Sequence, residues 1–240
     1  MKQKTILFAL LLLLLSAAAV FADDFSPEFI QQQESMLRSI DQYFPQILVT
    51  DTFDPETEPE IDKVGDGIYI STRKTRAGKY EWIIFADKPV TESTSWGTYK
   101  DGIGFYSDFY VSIEGQILER DDSEKGYIHF TYSDDEIVGG SDASWCCVNF
   151  PINVVKENRS AGESDEQIMT DLTQYGTDYD NHRFEIIRLH GYTSVFIDRR
   201  FVTGFADGFS GQFNFSWGVG LYPGGKYVTG QFDNLLIRVK

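Results

Sequence analysis

Between residues 105 and 117 the chain alternates strictly. Phe105, Phe109, Val111, Ile113 and Ile117 fall on one face of an extended strand, and Tyr106, Asp108, Tyr110, Ser112, Glu114 and Gln116 on the other. A β-face bearing two tyrosines and two carboxylates can hold a sugar, because aromatic rings stack on the apolar side of a pyranose and carboxylates accept its hydroxyl protons. The same pattern continues downstream. Tyr127, His129 and Thr131 look outward while Ile128, Phe130 and Tyr132 look inward, and Trp145 and Asn149 oppose Cys146, Val148 and Phe150. The candidate ligand-binding set is therefore Tyr106, Asp108, Tyr110, Glu114, Tyr127, His129, Trp145 and Asn149. Its bland counterpart is an ordinary polar outer face on which Tyr and Trp cover their neighbours.

Other chemistries find little support. His129, His182 and His190 lack metal-ligand spacing, and neither a Gly-x-Ser-x-Gly elbow nor a phosphate-binding glycine loop is present. The only cysteines, Cys146 and Cys147, are adjacent, so they cannot form a disulfide framework. They read as free thiols, with a vicinal disulfide as the alternative.

These residues must be positioned by strands. Eleven are expected, over 47–53, 68–74, 80–86, 105–118, 126–132, 144–150, 183–190, 193–198, 201–205, 212–221 and 230–239, separated by Gly, Asp, Asn and Ser clusters. With 15% aromatic residues, they predict an all-β fold, a two-sheet antiparallel jelly-roll sandwich. The polar segment 156–181 reads as a surface excursion in which Ser164 and Gln167 open a short helix. Ser26-Pro27-Glu28 starts an amphipathic helix over 26–43, expected to cover the sandwich or to meet a protein partner.

The N-terminus sets the compartment. Lys2 and Lys4 precede an apolar run to Leu15, and small residues follow up to Ala22, as in a secretory signal peptide. The apolar run is short for a membrane span. The expected organisation is a signal peptide over 1–22, a helix and linker over 23–46 and one sandwich over 47–240, in a protein that is secreted or periplasmic without membrane insertion. The net charge is −16, and removal of Lys2 and Lys4 makes it more acidic still. Such a surface repels nucleic acid, leaving glycans, polysaccharides and divalent cations as partners.

Several phrases resemble the concanavalin A-like lectin/glucanase superfamily, in its laminin-G-like bacterial branch. They are Tyr106-Ser107-Asp108-Phe109-Tyr110-Val111-Ser112, Gly126-Tyr127-Ile128-His129-Phe130, and Arg183-Phe184-Glu185-Ile186-Ile187-Arg188 with Val195-Phe196-Ile197-Asp198-Arg199-Arg200. The fourth is Phe232-Asp233-Asn234-Leu235-Leu236-Ile237. In the family the third pair is a hairpin whose turn is often Asn-Gly, where this chain has Asp198-Arg199.

The resemblance implies a lectin or a glycoside hydrolase, the latter with a Glu-x-Asp-x-Glu strand. Glu60-Ile61-Asp62-Lys63-Val64 lacks the third carboxylate and reads as an acidic linker. Asp108 and Glu114 lie six residues apart, about 20 Å along one strand, against about 5 Å for a retaining pair. The implied function is a non-catalytic carbohydrate-binding module, with an atypical glycoside hydrolase or a structural envelope protein as alternatives. The resemblance also implies a structural Ca²⁺, with Asp233 as one ligand and Asp51, Asp54 or Glu56 as others.

Overall fold

The structure is a computed structural model that describes residues 25–51, 60–65, 67–75, 78–104, 106–134, 144–160, 163–175, 179–209 and 213–240. The expected signal peptide, and the proposed calcium ligands Asp54 and Glu56, lie outside the described residues. Helices α1 (Pro27–Arg38) and α2 (Ile40–Tyr43) precede the strands. The first seven strands are β1 (Gln46–Asp51), β2 (Glu60–Gly65), β3 (Ile68–Lys74), β4 (Tyr80–Ala86), β5 (Thr94–Gly104), β6 (Phe109–Arg120) and β7 (Gly126–Ser133). The central four are β8 (Trp145–Phe150), β9 (Asn153–Ser160), β10 (Glu163–Asp171) and β11 (His182–Leu189). The chain closes with β12 (Tyr192–Ile197), β13 (Arg200–Ala206), β14 (Phe213–Leu221) and β15 (Tyr227–Val239).

Two antiparallel sheets result. The nine-stranded sheet runs β13-β12-β11-β6-β15-β4-β3-β2, and the six-stranded sheet runs β10-β9-β8-β7-β14-β5. The length of β15 explains how β1 joins: residues Tyr227–Phe232 pair with β4, while Leu235–Val239 pair with β1. Alternation builds the core between the sheets. Phe109, Val111 and Ile113 meet Ile128, Phe130 and Phe150, all at most 2% exposed, and the stacked pair Phe130–Phe184 (4.3 Å) joins the two layers.

Two expectations are corrected here. The segment 156–181 is the β9–β10 hairpin followed by a single 3₁₀ turn, so Ser164 and Gln167 lie on a strand and cap no helix. Residues 60–65 are strand β2 and not an acidic linker. Strand β5 was not foreseen at all, although it closes one edge of the six-stranded sheet.

The Asp198-Arg199 turn works without glycine. Both residues adopt positive φ (51° and 66°), which suits a two-residue hairpin. The Asp198 carboxylate accepts from the Arg183 amide at 2.9 Å and faces His182 Nδ1 at 2.7 Å, and these contacts hold the turn in its strained region.

Candidate functional site

The outward residues of the two sheets have different fates. Ser26 caps α1, accepting from the Phe29 amide, and the helix lies across the outer face of the nine-stranded sheet. Leu37 and Phe44 pack there with Tyr110, Ile187, Phe196 and Phe201 in a second apolar cluster. Ser194 Oγ donates to Gln33 Oε1 (2.9 Å) beneath the helix.

Of the four expected ligand residues around β6, this cover takes Tyr110 out of solvent. Tyr110 is 1% exposed, and its hydroxyl donates to Glu185 Oε1 at 2.7 Å. Burial, followed by the Glu185 charge, pushes its pKa up to about 12. Asp108 anchors the β11–β12 turn by accepting from the His190 amide (2.7 Å). Glu114 Oε2 accepts from the side-chain amides of Asn181 (3.2 Å) and Asn234 (3.1 Å), latching the bulge in β15. Tyr106 remains exposed just before β6.

Tyr127, His129, Trp145 and Asn149 belong to the other sheet. The eight residues therefore do not form one face. Outward alternation is the same on both sheets, so it could not reveal that β6 and β7 lie in different layers. The reading of these eight residues as one ligand-binding set is corrected accordingly.

On the six-stranded sheet, strand register aligns outward residues in rows. One row is Gly218, His129, Asn149 and Asn153; the next is Ser216, Thr131, Cys147 and Val155; a third is Asn214, Ser133, Trp145, Glu157 and Glu166. Hydrogen bonds connect them. Thr131 Oγ1 donates to Cys147 Sγ (2.9 Å), Cys147 to Asn149 Oδ1 (3.0 Å), and Asn149 Nδ2 to Asn153 Oδ1 (3.0 Å) and Tyr222 Oη (3.3 Å). The hydrogen bonds thus lead from a buried floor to half-buried Asn153 and Tyr222, while Trp145, also half-buried, stands two rows away on the same face. The Tyr222 ring rests 4.9 Å from that of Tyr127.

Strand β5 crosses this floor closely. A Cβ at Gly218 would stand 2.0 Å from the Trp96 carbonyl oxygen, and one at Gly97 would meet the Trp217 carbonyl at 2.6 Å. Only glycine permits that approach. The Trp96 carbonyl also lies 3.3 Å from His129 Nε2. Burial lowers the His129 pKa to about 4, so the ring is neutral at pH 7 and donates from Nε2 to that carbonyl.

The thiols are not bonded to each other. Cys146 points into the core and Cys147 outward, and burial pushes the Cys147 thiol up to about 12. Sequence reasoning missed Tyr222, Asn153 and Trp96. The Pro-Gly-Gly after Tyr222 signalled only a turn, and β5 and β9 carried no clear alternation.

Asp51 and Asp233 lie near one another in the β1–β15 pairing, opposite Leu235 and Glu114 respectively. Among the described residues, no three His, Cys, Asp or Glu side chains converge as metal ligands. A groove of about 400 Å³ runs beside α1, lined by Gln32, Met36, Tyr43, Ile187, Leu189 and Tyr192. Among the described residues no helix is long and apolar enough to cross a membrane.

Two antiparallel sheets of this order and register form a jelly-roll β-sandwich. The catalytic domain of an endo-1,3-beta-glucanase (laminarinase) from Thermotoga petrophila RKU-1 superposes with a TM-score of 0.51 at 12% identity, covering 80% of this chain and 97% of that one. LamAcat from Zobellia galactanivorans gives 0.47 at 7% identity over 81% and 98%. A beta-glucanase from Bacillus licheniformis gives 0.46 at 11% over 80% and 98%. No family model matches the chain, and no curated protein matches it in sequence. At these identities the likeness is one of fold.

Proposed function

We propose that this protein is a secreted, non-catalytic carbohydrate-binding module whose ligand lies along the outer edge of the six-stranded sheet. The observation that carries the reading is the hydrogen-bonded row from Thr131 through Cys147 and Asn149 to Asn153 and Tyr222. Its buried members fix the orientation of the half-buried Asn153 amide and the Tyr222 hydroxyl, and Trp145 stands two rows along the same face. Trp145 and Tyr222 supply rings for a pyranose face, and Asn153 supplies a donor and an acceptor for its hydroxyls. Tyr127, His129 and Asn149 support this edge from beneath. The helix-covered sheet offers no comparable surface at Tyr110.

A glycan array with the mature protein tests the assignment. Binding to at least one glycan is expected, with a loss of about tenfold or more in Trp145→Ala and Tyr222→Ala. Absence of any glycan ligand, or unchanged binding in both variants, would overturn it. We also keep the structural Ca²⁺ near Asp51 and Asp233 as a proposal. Added Ca²⁺ should raise the unfolding temperature of chelator-treated protein, and an unchanged temperature removes the idea.

A further inference from the structure

We infer that the groove beside α1 is a second binding site, for a small neutral ligand that carries an acetamido group, an N-acetylated sugar being the form its rim fits. The site lies on the nine-stranded sheet, so it goes beyond the reading of the other sheet and stands or falls without it. Its basis is Gln33. This residue lines the groove from α1 although it is only 9% exposed. Its Oε1 accepts from Ser194 Oγ at 2.9 Å, and Ser194 is buried beneath the helix, so the bond orients the amide. Gln33 Nε2 finds no acceptor among the described residues, and it is not one of the partnerless atoms sealed from solvent. Its donors therefore open onto the groove that the residue lines. A nearly buried donor without a partner is costly, and a ligand that brings an acceptor recovers that cost.

The surroundings select the acceptor. Met36, Ile187 and Leu189 give the groove apolar walls, so a carbonyl that reaches Nε2 must be flanked by an apolar group. An acetamido group joins a carbonyl oxygen to a methyl in that way. The charged lining residues are Glu28 and Arg38, in the first and last turns of α1 and about 15 Å apart along the helix at 1.5 Å per residue. Gln33 stands midway between them, where a charged group would lose water without gaining a counter-ion. On the exposed rim Gln31, Gln32 and Ser35 offer both donors and acceptors, as sugar hydroxyls require. A volume of about 400 Å³ falls within the range of about 300–1,000 Å³ usual for small-molecule sites. The groove runs beside the helix, so filling it does not undock Leu37 or Phe44.

Saturation-transfer difference NMR of the protein with N-acetylglucosamine, and separately with glucose, tests the inference. Millimolar binding of N-acetylglucosamine is expected, with the acetyl methyl receiving the largest saturation and with glucose weaker by about fivefold or more. Gln33→Met keeps the bulk of the side chain and removes its donors, and should weaken binding by about fivefold or more. Ser194→Ala removes one hydroxyl and leaves the amide unoriented, and should weaken binding by about threefold. It is the milder change and keeps the test decisive if Gln33→Met does not fold. Absence of saturation at the acetyl methyl, or equal binding of the two sugars, overturns the inference. A signal that both variants leave unchanged places the sugar elsewhere and overturns it too. None of these results bears on Trp145 or Tyr222, whose variants test the other sheet.

Discussion

Acidification should destabilise the protein through His129, and the size of the effect follows from its surroundings. The side chain is 6% exposed, and burial holds its pKa at about 4 against an ordinary 6.5. Between those values the unfolded chain takes up a proton that the folded chain refuses. Stability therefore rises with pH across this window. The contribution is complete above about pH 6.5 and is lost as the pH falls towards 4. At about 1.4 kcal/mol per pH unit the full term is about 3.5 kcal/mol, of which about 2.5 kcal/mol is lost by pH 4.5. Against a typical total of about 5–15 kcal/mol, that is a measurable share.

Carboxylates titrate in the same range, so the experiment needs a reference chain. His129→Gln retains a donor for the Trp96 carbonyl and has no proton to gain. Urea unfolding followed by tryptophan fluorescence at pH 7.5 and 4.5 gives the stability of each chain. The natural chain should lose about 2.5 kcal/mol more than the variant. Parallel losses, within about 0.5 kcal/mol, would refute the argument that burial keeps this imidazole neutral.

Three further outcomes are expected. Gly218→Ala puts a methyl group against the Trp96 carbonyl and should cost at least about 1–3 kcal/mol, whereas Gly208→Ala, with nothing within 4 Å, should stay within about 0.5 kcal/mol by the same urea assay. Arg188→Met strands the fully buried Asp207 carboxylate, now held at 2.6 Å, and should cost about 3–5 kcal/mol; a midpoint shift below about 1 kcal/mol would contradict that. Cys146 and Cys147 should resist a thiol reagent at pH 8 until denaturant is added, and rapid labelling of the native protein would show that their burial is overstated.

The sandwich was legible where strands alternate. The ranges 68–74 and 80–86 match β3 and β4, and the run around Phe109–Ile113 marked β6. Of the four missed strands, β2, β5 and β10 stand at sheet edges, where one side has no neighbouring strand and selection for a buried stripe is weak, whereas β9 lies between β8 and β10. In β5 the glycines that permit close passage over β14 also erase its strand signal. The site was legible by halves. Period-2 alternation correctly set Tyr127, His129, Trp145 and Asn149 on one outward face, with Cys147 between them. It cannot say which layer a strand joins, because layer membership depends on pairings far apart in sequence. Asn153 and Tyr222, 69 residues apart, meet only once β8, β9 and β14 are assembled.

The position of α1 decides between the two outer faces on energetic grounds. A sugar stacked on Tyr110 would have to displace the helix that buries Leu37 and Phe44, at 1% and 0% exposure. Each such side chain contributes about 1.5–3 kcal/mol, so undocking forfeits on the order of 5 kcal/mol. Millimolar glycan binding supplies only about 4 kcal/mol. A ligand of ordinary affinity therefore cannot open that face. On the six-stranded sheet no such cost arises, because Trp145, Asn153 and Tyr222 are already partly accessible, and Asn153 and Tyr222 are held by hydrogen bonds from Asn149. The helix thus acts indirectly: by closing the surface around Tyr110 on one sheet it leaves the outer face of the other as one with partly accessible aromatic residues.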